Sequence, residues 1–100
     1  MADLVIVYWR DIPAQIIVKK GRQAAKRELP ARFAEAIDMA AMRSKAHGTD
    51  AYLAEWRRGE PEPVSDELEA EADAACERLD RSIDDERLRA LVKAGGHAHG

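Results

Sequence analysis

The chain has few of the residues from which catalytic and metal centres are commonly built. It contains one cysteine, Cys76, so no internal disulfide can form, and it has no CxxC pair, HExxH helix or glycine-rich phosphate loop. No window approaches the roughly 18 consecutive apolar residues of a transmembrane helix, and the N-terminus lacks the basic segment of a signal peptide. These features favour a cytoplasmic protein without membrane attachment, and they indicate neither a catalytic residue nor a cofactor.

Large apolar side chains are also scarce. Nineteen of the 100 residues are alanine and only five are aromatic, which is enough for one modest core and leaves little room for a deep enclosed pocket. A chain of this length forms a single domain. We therefore expect one domain over residues 1–94, followed by a flexible tail at residues 95–100.

The charge is divided between two parts of the chain. The net charge of −3 combines +4 on residues 1–58 with −7 on residues 59–100. The pI of about 5.6 disfavours a nucleic-acid-binding domain, which usually combines a basic face with a high pI. The two parts either neutralise each other by packing side by side, or they leave a basic face for an anionic protein or ligand.

Two strands are predicted at the N-terminus. Residues 4–9 are β-branched and aromatic, and they are too few for a helix. Both of their alternating faces are apolar, which favours a central place in a sheet. A second strand over residues 14–20 pairs with the first in an antiparallel hairpin, through a connection of about four residues that ends at Pro13.

The middle of the chain shows helical patterns. Residues 22–29 are typical of a short basic helix. Residues 30–46 carry apolar side chains at helical spacing from Phe33 and Ile37, which predicts a helix that Gly48 ends.

Residues 51–58 fit two structures. Thr49 or Asp50 is suited to cap a short helix, yet Tyr52, Ala54 and Trp56 alternate as in a strand. We favour a third strand, because an isolated two-stranded hairpin is marginally stable.

The acidic part of the chain predicts two more helices. Residues 60–63, Glu-Pro-Glu-Pro, indicate a rigid linker, and Ser65 is a candidate N-cap for the helix that follows. Residues 84–94 predict the last helix, with Ser82 and Asp85 as its capping pair and Gly95-Gly96 as its end. The apolar stripe of the first of these helices comprises Leu68, Ala72, Ala75, Cys76, Leu79 and Ile83. The fold class is therefore α+β, a small antiparallel sheet packed against alanine-rich helices.

The thiol and the imidazoles have structural interpretations. Cys76 lies on the apolar stripe with acidic neighbours, and both burial and negative charge raise a thiol pKa, so we interpret it as a core residue. His97 and His99 lack a third ligand, so we predict no metal site there. His47 stands at a helix end, where a cation is favourable.

The strand connection carries the densest group of residues typical of binding surfaces. Tryptophan, tyrosine and arginine are enriched at binding hot spots, and connections between rigid strands often carry function. In the alternative interpretation Tyr8 and Trp9 are core aromatics, and Arg10 with Asp11 is a local ion pair. The predicted interaction surface comprises Tyr8, Trp9, Arg10, Asp11, Gln15, Lys19, Lys20, Arg22, Trp56 and Arg57.

These residues carry a resemblance. Residues 7–15, Val-Tyr-Trp-Arg-Asp-Ile-Pro-Ala-Gln, and residues 52–59, Tyr-Leu-Ala-Glu-Trp-Arg-Arg-Gly, resemble the small bacterial family named for a virulence factor, over roughly residues 4–93. The family also occurs as the C-terminal module of a larger conserved virulence factor. The resemblance implies an accessory role in folate- or corrinoid-dependent methyl transfer. It implies neither catalytic residues nor a toxin activity.

The sequence and the resemblance are compatible with two functions. The first is a non-enzymatic accessory or protein-interaction domain with a protein partner, for which Trp9→Ala or Arg10→Ala should abolish binding and leave the fold intact; a homodimer is left open. The second is a ligand-binding protein or weak enzyme that holds a small anion with Arg10, Lys19, Lys20 and Arg22.

Overall fold

A central antiparallel sheet organises the chain, as seen in a computed structural model that describes residues 1–45 and 48–98. The strand order is β3-β2-β1-β4, and β5 also pairs with β1. The elements are β1 (Ala2–Trp9), β2 (Ile12–Lys20), β3 (Gln23–Glu28), α1 (Ala31–Arg43), α2 (Thr49–Ala54), β4 (Trp56–Arg58), β5 (Glu62–Val64), α3 (Leu68–Ser82) and α4 (Asp85–Lys93). The predicted α+β class, with an N-terminal hairpin and further strands, is confirmed.

The β1–β2 register assigns side chains to the two faces of the sheet. Leu4 lies opposite Val18 and Ile6 opposite Ile16, and Val18 in turn pairs with Ala25 of β3. Because side chains alternate along a strand, these five residues share one face. They pack with the helices in a single hydrophobic cluster, which defines the inner face of the sheet.

Helices α3 and α1 bury side chains of different sizes against the sheet. Helix α3 packs on β2 and β3 through Ala72 and Ala75, whose small side chains allow close approach to the sheet. Helix α1 contributes Phe33 and Ile37 to the same cluster and packs against α4. The predicted apolar face of the α1 segment is thereby confirmed.

The segment predicted as a basic helix over residues 22–29 is strand β3, so that prediction is wrong. Its six residues pair with β2 from Gln15↔Glu28 to Lys20↔Gln23. Arg27 points to the inner face, where its guanidinium bonds to Glu69 and Asp73 of α3. An eight-residue helix is marginal on its own, whereas pairing satisfies the free edge of β2.

The segment over residues 51–58 contains both structures that its sequence allowed. Helix α2 ends at Ala54, and β4 then pairs with β1 through Trp9↔Trp56 and Tyr8↔Arg57. The third strand is therefore present, but it is shorter than predicted.

Residues 60–63 are not solely a linker, because β5 begins at Glu62 and includes Pro63. Proline is tolerated in a short strand at a sheet edge, where no ladder bond from its nitrogen is needed.

The caps of the last two helices differ from those predicted. Helix α3 begins at Leu68, and Ser65 instead accepts a hydrogen bond from the Glu67 N–H at 3.4 Å. For α4, Asp84 is the N-cap and accepts from the Arg87 N–H at 2.8 Å, so the pairing of Ser82 with Asp85 is wrong. An aspartate at this position satisfies a free helix N–H directly.

The connection between β1 and β2 is a two-residue turn, tighter than predicted. Arg10 has φ +55°, a left-handed conformation that few non-glycine residues adopt. Gly95 and Gly96, both at positive φ, end α4 as predicted, and the Gly96 carbonyl accepts from the Asp11 N–H at 2.8 Å. The predicted flexibility of residues 95–100 stays a prediction, and His47 and His99 lie outside the described residues.

Candidate functional site

The residues of the predicted interaction surface lie in two groups at opposite ends of the sheet. Arg10 and Asp11 form the β1–β2 turn, whereas Lys19, Lys20 and Arg22 lie at the β2–β3 turn. Strand β2 has nine residues, so the two turns are about 26 Å apart at 3.3 Å per residue. A small anion therefore cannot contact Arg10 and the lysines together.

Trp9 is a core residue. Its side chain is 0% exposed, and its indole N–H donates to the Tyr52 carbonyl at 3.0 Å. The ring also stacks on Tyr52 with centroids 5.9 Å apart and carries the Arg10 guanidinium 4.8 Å from its centroid. The expectation that Trp9→Ala leaves the fold intact is therefore wrong, because truncating a buried tryptophan costs about 3–5 kcal/mol.

Arg10 attaches the end of α4 to the hairpin. Its Nη1 donates to the Gly95 carbonyl at 2.7 Å, and its Nε lies 3.5 Å from the Glu55 carboxylate. The expected local pair of Arg10 with Asp11 is absent from the described ion pairs, because Asp11 bonds to Arg57 instead.

On the exposed side of this turn, the charged side chains bond to other groups of the chain. The Asp11 carboxylate accepts from the Ala98 N–H at 2.7 Å and from Arg57 at 2.9 Å, and the Arg57 guanidinium lies 4.5 Å from the Tyr8 ring centroid. The hydrogen bond from Ala98 is the largest effect that lowers the pKa of Asp11, and Arg57 adds to it. These groups hold the turn, β4 and the end of α4 together.

The outer face of the sheet is the face opposite the helices. Alternation and register place Val5, Val7 and Ile17 there, together with the charged residues Asp3, Lys19, Lys26, Glu28 and Arg58. Val5 and Ile17 are 5% and 8% exposed, and both lie outside the hydrophobic cluster that joins sheet and helices.

Three cations share the outer face, and two arginines on the helix side are ion-paired. Lys19, Lys26 and Arg58 are exposed, and none of them belongs to an ion pair within the described ranges. On the helix side, Arg27 bonds to two carboxylates of α3, and Arg32 bonds to Asp80 and Asp85. Of the predicted lysines, Lys20 is paired with Asp66 at 2.7 Å and Lys19 remains free of ion pairs among the described residues.

A cleft of about 240 Å³ opens where the ends of β2 and β3 meet α1, α2 and β4. The Tyr52 and Trp56 rings stand nearly perpendicular at 82°, with centroids 5.8 Å apart. Burial, and then the negative charge of Asp38, raise the pKa of Tyr52, so its hydroxyl is protonated at neutral pH. The cleft is lined by Ala14, Gln15, Glu28, Leu29, Ala34, Ile37, Asp38, Tyr52 and Trp56.

The sequence predicted only some of the residues that line this cleft. Gln15 and Trp56 belong to the predicted surface, whereas Glu28, Asp38 and Tyr52 do not. Their positions along the chain show no common spacing, because each comes from a different element. The alternation of Tyr52 with Trp56 was the one available signal, and it pointed to a strand.

The environment of the Cys76 thiol agrees with the prediction from its acidic sequence neighbours. Cys76 is half-buried, and its Sγ lies 3.7 Å from the Glu28 carbonyl oxygen. Burial raises the pKa of Cys76, and the charges of Asp80 and Asp73 raise it further. A thiol in this setting is a weak nucleophile.

Metal-ligand clusters and membrane-spanning helices are both absent from the described part of the chain. No three histidine, cysteine or carboxylate residues there are grouped as metal ligands. No helix among those described has the length and apolar character to cross a bilayer.

The fold and the cleft define a small α+β domain whose sheet is covered by helices on one face. The model of a protein family described as virulence factor matches residues 7–92. Because this match spans most of the chain, the protein belongs to that family. Neither a curated protein nor a solved structure matches it.

Proposed function

We propose that this domain is a non-enzymatic accessory module that docks a partner protein on the outer face of its sheet. The observation that carries the proposal is the group of exposed cations Lys19, Lys26 and Arg58, which have no ion pair among the described residues and share the outer face with the nearly buried Val5 and Ile17.

The charge pattern indicates the chemistry of the partner. Arg27 and Arg32 are neutralised by carboxylates of the domain, whereas Lys19, Lys26 and Arg58 have no ion-pair partner among the described residues. Lys45, Arg81 and Arg89 have none either, but Lys19, Lys26 and Arg58 are grouped on one sheet face. Such charges steer association and favour a partner of the opposite sign. The proposed partner therefore presents carboxylates.

The family resemblance suggests where to look for this partner. It implies service to a folate- or corrinoid-dependent methyl-transfer system, so subunits of such systems with acidic surfaces are the first proteins to test.

The test compares two charge-reversed variants of the full chain. The outer-face variant carries Lys19→Glu, Lys26→Glu and Arg58→Glu, and the control carries Lys45→Glu, Arg81→Glu and Arg89→Glu, which change net charge equally at exposed residues elsewhere. Each immobilised protein is exposed to purified methyl-transfer subunits and to extract from its native host, and bound proteins are identified by mass spectrometry. Circular dichroism verifies that both variants fold.

We expect a stoichiometric acidic partner that binds the wild type and the control, is lost from the outer-face variant, and dissociates as salt increases. Equal binding to both variants would refute the outer face as the docking surface. A partner whose binding is insensitive to salt would contradict the charge argument.

A further inference from the structure

The cleft beside α1 combines features that suit a positively charged ligand. Tyr52 and Trp56 both line this space, with their rings nearly perpendicular and in edge-to-face contact, and Trp9 stacks on one face of Tyr52. The negative face of an aromatic ring attracts ammonium and guanidinium groups, and tryptophan does so most strongly. A cation in this cleft is within reach of both aromatic side chains.

One carboxylate stands beside these rings. Asp38 comes from the middle of α1 and lines the cleft, whereas the alternation along β3 places the Glu28 side chain on the outer face of the sheet. The Asp38 side chain has no ion-pair or hydrogen-bond partner among the described residues, and no lysine, arginine or histidine of the described ranges lines the cleft.

The size of the cleft limits the ligand. Its volume of about 240 Å³ is below the range of about 300–1,000 Å³ that is usual for drug-sized ligands. A single alkylammonium, quaternary ammonium or guanidinium group fits such a space, whereas a nucleotide or a folate does not.

We propose that this cleft binds a small organic cation, with its charged group against Tyr52 and Trp56 and balanced by Asp38. The cation is either a free amine or the side chain of a lysine or arginine on another protein. The proposal does not depend on the docking function, because none of Lys19, Lys26 and Arg58 lines the cleft.

The experiment is a titration of the full chain followed by two-dimensional ¹H–¹⁵N NMR. The probes are choline, n-butylammonium and ethylguanidinium, each to about 50 mM, and the neutral isostere of choline, 3,3-dimethylbutan-1-ol, is the matched control. The indole N–H of Trp56 and the backbone amides of α2 report the cleft. We expect saturable shifts at these signals for the cations and none for the alcohol.

Variants connect the shifts to the proposed groups. Asp38→Asn removes one charge from an exposed side chain and should weaken cation binding by about threefold or more, while Glu35→Gln, one turn away on α1 and outside the cleft, should not. Choline shifts that match those of the alcohol, or that Asp38→Asn leaves unchanged, would overturn the proposal, as would the absence of saturation with every cation.

A last arm separates the two sources of the cation. The peptides Gly-Gly-Lys-Gly-Gly and Gly-Gly-Arg-Gly-Gly, with blocked termini, are titrated beside butylammonium and ethylguanidinium. Tighter binding of a peptide indicates a side chain of a partner protein, and equal or weaker binding indicates a free amine.

Discussion

Gly96 allows the end of α4 to lie directly on the β1–β2 turn, and an added methyl group there should be costly. The residue has φ +97°, and a Cβ atom at this position would lie 3.0 Å from Cζ3 of Trp9 and 3.3 Å from the Arg10 side chain. The Trp9 ring is fully buried and held by its bond to the Tyr52 carbonyl, so it cannot move away easily. We therefore expect Gly96→Ala to destabilise the fold strongly.

Gly21 supplies the comparison that separates backbone strain from steric overlap. It has φ +59°, and a Cβ added there meets nothing within 4 Å. Left-handed backbone costs an alanine about 1–2 kcal/mol, which is the whole expected effect of Gly21→Ala. Overpacking of a buried site adds about 1–3 kcal/mol, so Gly96→Ala should cost about 2–5 kcal/mol. For a domain of this size each kcal/mol lowers Tm by about 4–8 °C.

The assay is urea denaturation of the wild type and the two variants, followed by far-ultraviolet circular dichroism. The informative quantity is the difference between the two free-energy changes, which isolates the contact of Gly96 with Trp9 and Arg10. Amide exchange at Asp11, whose N–H donates to the Gly96 carbonyl, should accelerate in Gly96→Ala and not in Gly21→Ala. Equal costs for both variants would show that residues 95–98 do not pack on the turn, and would refute the reasoning.

Two further predictions concern titratable groups. In the folded chain the pKa of Asp11 lies below its usual value near 3.8, chiefly because of the Ala98 N–H and also because of Arg57. The ionised carboxylate therefore stabilises the fold above pH 3.8, and this stabilisation is lost as the pH falls through the lowered pKa. The stability difference between wild type and Asp11→Asn, measured by urea denaturation, should thus be present at about pH 7 and shrink below about pH 4; a constant difference would contradict the assignment. Burial and Asp80 raise the pKa of Cys76, so iodoacetamide at about pH 8 should modify the folded chain more slowly than the chain in urea, and equal rates by mass spectrometry would show an accessible thiolate.

Strong periodicity explains which elements the sequence could predict. Residues 4–9 are apolar on both faces because β1 is central and pairs with three other strands. The apolar spacing around Phe33 and Ile37 likewise reports directly which side of α1 is buried.

Strand β3 shows why some local patterns mislead. Gln23-Ala-Ala-Lys-Arg-Glu28 consists of residues that favour helices, and its two inward positions, Ala25 and Arg27, do not resemble a buried strand. It is a strand because β2 offers a row of unpaired backbone groups six residues long. Such tertiary pairing outweighs propensities that differ by a few tenths of a kcal/mol per residue.

The same limit applies to the two candidate sites, with different consequences. The basic residues near Lys19 were visible as a run in the sequence, but only the register divides them into Lys19 on the outer face and Lys20 paired with Asp66. The cleft had no such run, because Asp38 becomes a neighbour of Tyr52 only when α1 and α2 fold beside the sheet. A site assembled from single residues of separate elements is found by its geometry, and the aromatic rings beside Asp38 distinguish its carboxylate from ordinary surface charges.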